Sequence, residues 1–288
     1  MKIYNLPNDF STVEERNSPV IIRSYQSSHN TQKHKSILHQ NMVDILLSGQ
    51  RKFIDIQDTK ILEAGEFMIL SKGNCLISEV LPIDGLFSNV VIYFTDQVFA
   101  NFLIKYQNKI KDIEVKNTNR KPYLTYKQDR FISNYIHSLQ IMLQSPSFFS
   151  SEFNQLKLEE LLLYLLNTNA SMLLSLTIVV NNDEDMQIKM VAENNVASDV
   201  TVEELAFLCN TSLSSFKRKF ARIYGTSPQK WLFDKKMKLA GDLLKESRNS
   251  SGSIYTKVGY KSHASFTQAF KQQYGVTPRE YQERNMNF

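Results

Sequence analysis

Residues 212–231 read SLSSFKRKFARIYGTSPQKW, and residues 262–281 repeat the pattern as SHASFTQAFKQQYGVTPREY. Nine positions agree in residue type at a constant offset of fifty residues. Self-similarity at a fixed spacing indicates one supersecondary unit used twice. Each copy begins with a serine suited to cap a helix, stops at a glycine and restarts after a proline. This order of signals predicts a helix-turn-helix in each copy.

The first copy has the stronger helix signals. Thr201 and Glu204 form a capping box, which predicts a short helix over residues 202–209. The next helix is expected to begin at Ser212 and to end at Gly225. Small and basic side chains lie opposite its apolar stripe, and such a face can meet base edges and phosphates in a major groove. The stripe comprises Phe216, Phe220, Ile223 and Tyr224, and the outward face comprises Ser214, Arg218, Ala221 and Arg222, with Ser215 and Lys217 beside it.

The second copy is less basic than the first. We predict that the first unit dominates base contact and that the second contributes mostly backbone contacts and milder specificity. A charged helix face is more often only solvated, but duplication with the same inner residues favours binding. The second helix directs Phe266, Phe270 and Tyr274 inward and His263, Ala264, Thr267, Gln268 and Lys271 outward.

A long amphipathic helix over residues 231–246 is predicted to connect the two units and to fix their spacing. Gly241 lies inside it, where glycine costs about 1 kcal/mol relative to alanine.

Charge is distributed unevenly along the chain. The net charge is +5, but residues 187–288 hold 16 basic and 9 acidic side chains, a net charge of +7, whereas residues 1–186 carry −2. A basic C-terminal third beside a near-neutral remainder indicates a polyanionic partner for one domain only.

The first 125 residues predict short strands separated by glycine-containing turns, which favours a small antiparallel barrel or sandwich. The predicted strands are 20–25, 42–47, 52–56, 66–70 and 90–94. Residues 127–167 change to helical periodicity and predict a pair of helices. The polar, acidic residues 181–185 suit a junction, so the predicted domains are 1–180 and 181–288.

The second helix of this pair is rich in leucine, and so wide an apolar band is expected to bury two faces. One face would pack on the barrel and the other on a second subunit. Packing of both stripes inside one monomer is the alternative. The residues assigned to dimerisation are Leu158, Leu161, Leu162 and Leu165.

Composition disfavours export and membrane insertion. Cys75 and Cys209 are too few for a disulfide framework and suit a reducing compartment. The N-terminus lacks the basic-then-apolar run of a signal peptide, so a cytoplasmic location is expected. The uncharged stretch 161–180 is about as long as a membrane span, but turn residues at 167–171 divide it.

Histidine spacing disfavours a metal centre. His29, His34 and His39 lie five residues apart, which places alternate members on opposite faces of a strand. No carboxylate and histidine pair follows at ligand spacing, so neither a metal nor a cofactor is expected. A metal-dependent barrel enzyme with a DNA-binding tail is therefore a remote alternative.

Together these motifs resemble the DNA-binding domain of the AraC/XylS family of bacterial transcription regulators. The resemblance covers about residues 185–284 and includes Leu205-Ala206, the two Ser-Phe-x-x-x-Phe-x-x-x-Tyr-Gly-x-x-Pro units and Val258-Gly-Tyr260. It implies seven helices, with two recognition helices in successive segments of a major groove. The residues carried over as DNA contacts are Ser214, Ser215, Lys217, Arg218 and Arg222 in the first unit, and His263, Ala264, Thr267, Gln268 and Lys271 in the second.

This chain departs from the family pattern in places. Tyr255 stands where alanine is usual, and Lys236 stands where arginine is common. The first 125 residues are more loosely similar to the family's cupin-like barrels, chiefly over residues 61–70. In many members such a barrel binds a small effector, and in others the signal comes from a protein partner. Both possibilities stay open from the sequence.

The predicted class is therefore α+β, with an N-terminal cupin-like antiparallel β-barrel and helical pair followed by an all-α domain with two helix-turn-helix units. The predicted function is sequence-specific regulation of transcription, with activation expected. The expected partners are double-stranded promoter DNA, a second copy of the chain and the transcription machinery.

Overall fold

A computed structural model describes residues 2–56, 58–83, 85–111, 113, 122–145, 150–176, 184–246 and 251–286. The chain folds into two compact units. One unit contains residues 1–54 and 60–180, and the other contains residues 181–288 together with 55–59. Most of the junction predicted at 181–185 lies outside the described residues, which resume at Glu184.

The N-terminal unit is built on two five-stranded sheets. Its strands are β1 (Ile3–Leu6), β2 (Val20–Ser27), β3 (Thr31–Leu38), β4 (Asn41–Ser48), β5 (Gln50–Ile54), β6 (Thr59–Glu63), β7 (Glu66–Leu70), β8 (Gly73–Val80), β9 (Phe87–Phe94) and β10 (Tyr123–Lys127). The first sheet has the order β1-β3-β8-β5-β6, and the second has the order β10-β7-β4-β9-β2. β1 runs parallel to β3, whereas β4 is antiparallel to both of its neighbours.

Alternation along β4 distributes its side chains between two cores. Met42 and Leu46 lie in the core between the sheets, whereas Val43 and Ile45 lie in the core that the second sheet shares with helices. This division arises because successive side chains of a strand point to opposite faces. The second sheet is therefore covered on both faces.

A charged network lies between the two sheets. Asp44 of β4 is fully buried, and Arg51 of β5 donates from Nη1 to its Oδ2 at 2.8 Å. Arg51 also donates from Nη2 to Glu79 of β8, and Asn89 of β9 donates to Asp44 Oδ1 at 2.5 Å. Burial alone would lower the pKa of Arg51, but the two carboxylates raise it above its ordinary value. The network thus joins strands of both sheets.

The α-helices described in the N-terminal unit lie after β9, two of them before β10 and three after it. They are α1 (Asp96–Lys105), α2 (Gln107–Ile110), α3 (Arg130–Gln144), α4 (Ser151–Thr168) and α5 (Ala170–Ser175). Asp129 caps α3 by accepting from the backbone N–H of Ile132 at 2.9 Å, and Ser150 caps α4. The apolar stripes of α3 and α4 join the core on the second sheet.

The four leucines assigned to dimerisation are buried inside the N-terminal unit. Leu158, Leu161, Leu162 and Leu165 are at most 1% exposed, and all four lie in the core that α4 shares with the second sheet. They have no accessible surface to offer a second subunit. The stripe is wide because the unit itself encloses this side of α4, which is the alternative that the sequence left open.

In the C-terminal unit, residues 184–246 and 251–286 contain helices and no strand. Its helices are α6 (Glu184–Asn194), α7 (Val202–Leu208), α8 (Leu213–Tyr224), α9 (Pro228–Lys245), α10 (Ser251–Lys257), α11 (His263–Tyr274) and α12 (Pro278–Met286). Met237, Ala240 and Leu244 of α9 form one core with Ile254 and the buried aromatic side chains of α11. The long connecting helix α9 is therefore part of the core of the second helix-turn-helix.

The predicted α+β class is confirmed, with a sheet-rich part before a helical part. All five predicted strands are present, within a few residues at their ends. Five strands and the helices α1, α2 and α5 were not predicted. None of the described helices is both long and apolar enough to cross a bilayer.

Candidate nucleic-acid interface

The first helix-turn-helix is α7 followed by α8. Thr201 and Glu204 form the predicted capping box, with Thr201 N donating to Glu204 Oε2 at 2.8 Å and Glu204 N donating to Thr201 Oγ1 at 3.2 Å. Ser212 accepts from the backbone N–H of Ser215 at 3.2 Å and caps α8. Gly225 ends α8 with φ of 69°, a left-handed conformation that favours glycine. Local signals therefore set both ends of α8.

The second unit repeats this construction. Ser262 caps α11 through the backbone N–H of Ser265 at 3.2 Å, and Gly275 ends it with φ of 76°. Each unit also contains a set of three packed rings at the same offset of fifty residues. The two sets are Phe220, Tyr224 and Trp231 in the first unit, and Phe270, Tyr274 and Tyr281 in the second.

The outward face of α8 is accessible and basic. Phe216 and Phe220 are fully buried, which directs the opposite face of the helix to solvent. Lys217 and Arg218 are exposed, and neither forms an ion pair with any described residue. Of the predicted contacts in this unit, Ser214, Lys217, Arg218 and Arg222 are exposed and Ser215 is half-buried.

Two further cations of α8 contact carboxylates at the start of α6. Arg222 Nη2 donates to both carboxylate oxygens of Asp185, at 2.5 and 2.7 Å. Lys219 donates to Glu184. These contacts were not predicted from the sequence, because acidic residues in a first turn are ordinarily explained by the helix dipole. No local signal relates them to cations 35 and 37 residues further along the chain.

The outward face of α11 is mostly neutral. Its predicted contacts His263, Ala264, Gln268 and Lys271 are exposed, whereas Thr267 is half-buried. The Thr267 hydroxyl donates to the backbone carbonyl of His263 at 2.9 Å. Tyr255, which replaces the usual alanine, lies edge-on to the His263 ring with centroids 6.0 Å apart. The unusual tyrosine therefore contacts the predicted DNA-facing surface of α11.

Lys236 of α9 connects the segment before the first helix-turn-helix to the second helix-turn-helix. Its Nζ donates to the backbone carbonyl of Ser198 at 2.7 Å and lies 5.8 Å from the ring centroid of Tyr260. The same carbonyl approaches Gly259, where an added Cβ would lie 2.1 Å from Ser198 O. Gly259 has φ of 73°, so both conformation and space require glycine at this position. These contacts position the second helix-turn-helix relative to residue 198.

The N-terminal unit contains a cavity of about 420 Å³, lined by Tyr25, Arg51, Glu79 and Asn89 among others. Arg51 and Asn89 are 6% and 1% exposed. Arg51 Nε and Asn89 Oδ1 have no hydrogen-bond partner among the described residues. Buried polar atoms are normally paired, so two unpaired polar atoms on residues that line one cavity are unusual.

The cavity residues were also missed from the sequence. Asp44 interrupts an apolar strand, and Arg51 follows seven residues later, so a polar residue at an inward strand position was the available signal. It does not reveal which strands face one another. Among the described residues no group of histidine, cysteine and acidic side chains is arranged to hold a metal ion.

Both units match known proteins. Residues 41–176 match the ExsA N-terminal regulatory domain, and residues 205–284 match a helix-turn-helix domain. The virulence regulon transcriptional activator VirF of Yersinia enterocolitica is 26% identical over 251 residues, covering 84% of this chain and 88% of VirF. The regulator ExsA of Pseudomonas aeruginosa is 23% identical over 240 residues, covering 82% of this chain and 84% of ExsA.

Among solved structures, an apo variant of ToxT from Vibrio cholerae aligns over 92% of this chain and 97% of its own, with 14% identity and a TM-score of 0.43. That score is too low to support an argument about function. The duplicated helix-turn-helix and the sequence matches over both units identify a DNA-binding regulator rather than an enzyme. These matches support an AraC-family transcriptional regulator with a C-terminal helix-turn-helix DNA-binding domain.

Proposed function

We propose that this protein is a cytoplasmic transcriptional activator that binds promoter DNA in a sequence-specific manner through α8 and α11. The observation that carries the proposal is the outward face of α8, where Lys217 and Arg218 are exposed and form no ion pair with any described residue. A guanidinium on such a helix can donate two hydrogen bonds to a guanine edge, and an ammonium can bind phosphate. The named relatives VirF and ExsA, an activator and a regulator, support this function.

The two helices contribute unequally in this proposal. α8 offers Lys217, Arg218 and Arg222, whereas the outward face of α11 offers Lys271 and neutral side chains. Base contact therefore depends mainly on α8, and α11 adds backbone contacts and milder specificity. Because α9 contacts both helix-turn-helix units, it holds α8 and α11 at a fixed spacing.

Selection of bound sequences from random duplex DNA tests this function directly. The full chain is expected to enrich a site with two segments about one helical turn, 10–10.5 base pairs, apart. The segment read by α8 should show the stronger base preference. Affinity should fall with salt, with a log–log slope of about −0.9 for each phosphate neutralised. Failure to enrich any sequence, or an affinity independent of salt, would contradict the proposal.

The cavity between the sheets is the proposed receptor for a small effector. Asn89 and Arg51 both line this cavity, and each has one buried polar atom, Oδ1 and Nε, without a partner among the described residues. In this proposal the effector carries a hydroxyl group, because a hydroxyl can both donate to an amide oxygen and accept from a guanidinium. Apolar and aromatic side chains of the lining, such as Tyr93 and Val91, suit a carbon skeleton.

A thermal-shift screen over hydroxylated metabolites, set beside a pull-down of cell proteins, separates the two possible signals. A metabolite that raises the midpoint of the wild type, and not that of an Asn89→Asp variant, would support the small effector. Asn89→Asp retains the size of the side chain but replaces the amide that donates to Asp44 by a carboxyl group, so the midpoint of the unliganded variant is measured first. A co-purifying protein without any stabilising metabolite would favour the alternative, control by a protein partner.

The proposal also includes a homodimer, formed by side chains other than the four buried leucines. Phe153 and Leu156 of α4 are 43% and 62% exposed, and their spacing of three residues places them side by side on the helix. Sedimentation of the wild type and of Leu156→Lys measures this part of the proposal. A dimer that the lysine converts to monomer supports it, and a monomeric wild type contradicts it.

A further inference from the structure

Two carboxylates of α6 lie against one flank of the first recognition helix. Asp185 binds Arg222 through both carboxylate oxygens, and Glu184 binds Lys219. The side chains of Arg222 and Asp185 are 64% and 44% exposed, so this pair lies at the surface that DNA would approach. Lys219 is less accessible than Arg222, with 23% of its side chain exposed.

The terminal nitrogen that Asp185 occupies is one that DNA would use. A bidentate contact of arginine with guanine, or a contact with phosphate, employs the terminal nitrogens of the guanidinium. Asp185 engages Nη2 of Arg222 with both of its oxygens. DNA must therefore displace the carboxylate, or bind with this nitrogen still occupied and with two negative charges beside its phosphates. Both situations lower the affinity.

We propose that Glu184 and Asp185 form an acidic brake, an autoinhibitory contact that competes with DNA for Arg222 and Lys219. Binding exchanges the Asp185–Arg222 ion pair for a contact between Arg222 and a DNA phosphate. The inference rests on the proposed DNA-binding function of α8. The proposal gives α6 a role in controlling the affinity for DNA. The motifs of the two helix-turn-helix units do not include this helix.

The opposite role for Asp185 would be to orient Arg222 toward a base. In that arrangement the carboxylate holds the guanidinium from one side and leaves the terminal nitrogens free for the base. Here Nη2 is the atom that Asp185 binds, and the neighbouring Glu184 adds a second negative charge to the same flank. The geometry therefore favours competition over orientation.

The test uses the full chain and two fluorescent duplexes, one selected from random DNA and one of mixed sequence. Asp185→Asn is expected to tighten binding about three- to fivefold, the size of effect of one exposed ion pair. The added phosphate contact should steepen the log–log salt slope by about 0.9. Asp242→Asn is the matched control, because it removes the same charge from an exposed pair with Lys245 on α9. This control should leave binding unchanged.

A second background isolates the Asp185–Arg222 contact. In an Arg222→Ala chain, Asp185→Asn should no longer tighten binding, because no guanidinium remains to be released. Unfolding midpoints of all variants, measured by circular dichroism, verify that each one folds.

Three results would overturn the brake. Asp185→Asn could bind with unchanged or lower affinity, and the lower affinity would mean that the carboxylate orients Arg222. Asp242→Asn could tighten binding equally, which would attribute the gain to net charge alone. Wild-type protein that binds neither duplex would contradict the DNA-binding function itself, so the two failures are distinguishable.

Discussion

The phenolic hydroxyl of Tyr274 donates a hydrogen bond of 3.1 Å to the backbone carbonyl of Met237, and this bond ties α11 to the connecting helix α9. Gly241 lies one turn further along α9, where an added Cβ would lie 2.8 Å from Tyr274 Oη. The Tyr274 ring packs against Phe270 and Tyr281, with centroids 4.6 and 4.9 Å away. The glycine that lowers helix propensity is therefore needed for the close approach of the tyrosine.

Substitution of Gly241 by alanine tests this packing. In a helix with free space at this position, replacing glycine by alanine would stabilise the protein by about 1 kcal/mol. Here we expect Gly241→Ala to lower the free energy of unfolding by about 1–2 kcal/mol, because the ring must move and the hydrogen bond to Met237 is lost. Urea unfolding measures the difference.

Gly252 of α10 is the matched control for this substitution. Its added Cβ would meet nothing within 4 Å, so Gly252→Ala should not destabilise the protein. A Gly241→Ala variant more stable than the wild type would show that Tyr274 does not restrict this position.

The buried network between the sheets predicts a large cost for Arg51→Met. The substitution leaves the carboxylates of Asp44 and Glu79 buried without their cation, which costs about 3–5 kcal/mol. Arg23→Met is the control, because its pair with Glu15 is partly exposed, at 29% and 31% of the two side chains. It should cost less than about 1 kcal/mol. Equal losses in the two variants, measured by thermal unfolding, would contradict a structural role for the network.

Cys209 should be unreactive in the folded protein. Burial raises the pKa of its thiol to about 12, so almost none is thiolate at neutral or mildly alkaline pH. The unfolded chain has an ordinary thiol pKa of about 8.5. The stability contributed by the neutral thiol is thus fully present below that pH and is lost as pH rises toward the folded pKa.

Labelling with a thiol reagent at mildly alkaline pH measures this protection in a Cys75→Ala background, where only Cys209 remains. We expect slow modification of the folded chain and rapid modification in urea. A similar rate in both states would mean that the thiol is accessible and that its pKa is not raised by burial.

Local signals explain why the C-terminal unit was predicted more fully than the N-terminal unit. The caps at Ser212 and Ser262 and the stop at Gly225 each act within a few residues, so the sequence places them directly. In β3, by contrast, Lys33, His34 and Lys35 give the segment a polar composition that concealed the strand. Burial there depends on neighbouring strands rather than on the segment itself.

Long-range contacts account for the other differences. The sequence of α4 predicts a wide apolar stripe, but it does not say whether one unit or two subunits cover Leu158 and Leu161. Asp185 and Arg222 lie 37 residues apart, and their pairing depends on how α6 crosses α8. A capping serine needs only its own helix, whereas an ion pair between helices needs the completed fold.

The most direct test of the central claim is the affinity of Arg218→Ala for the duplex selected by the wild type, measured by anisotropy beside Lys238→Ala. Both variants remove one exposed positive charge from the same unit, but only Arg218 lies on the outward face of α8. We expect Arg218→Ala to lose about ten- to a hundredfold in specific affinity, the range for one lost base contact. The loss should come with an unchanged unfolding midpoint and little change for Lys238→Ala. A folded Arg218→Ala chain with wild-type affinity and footprint would contradict the assignment of α8 as the principal recognition helix.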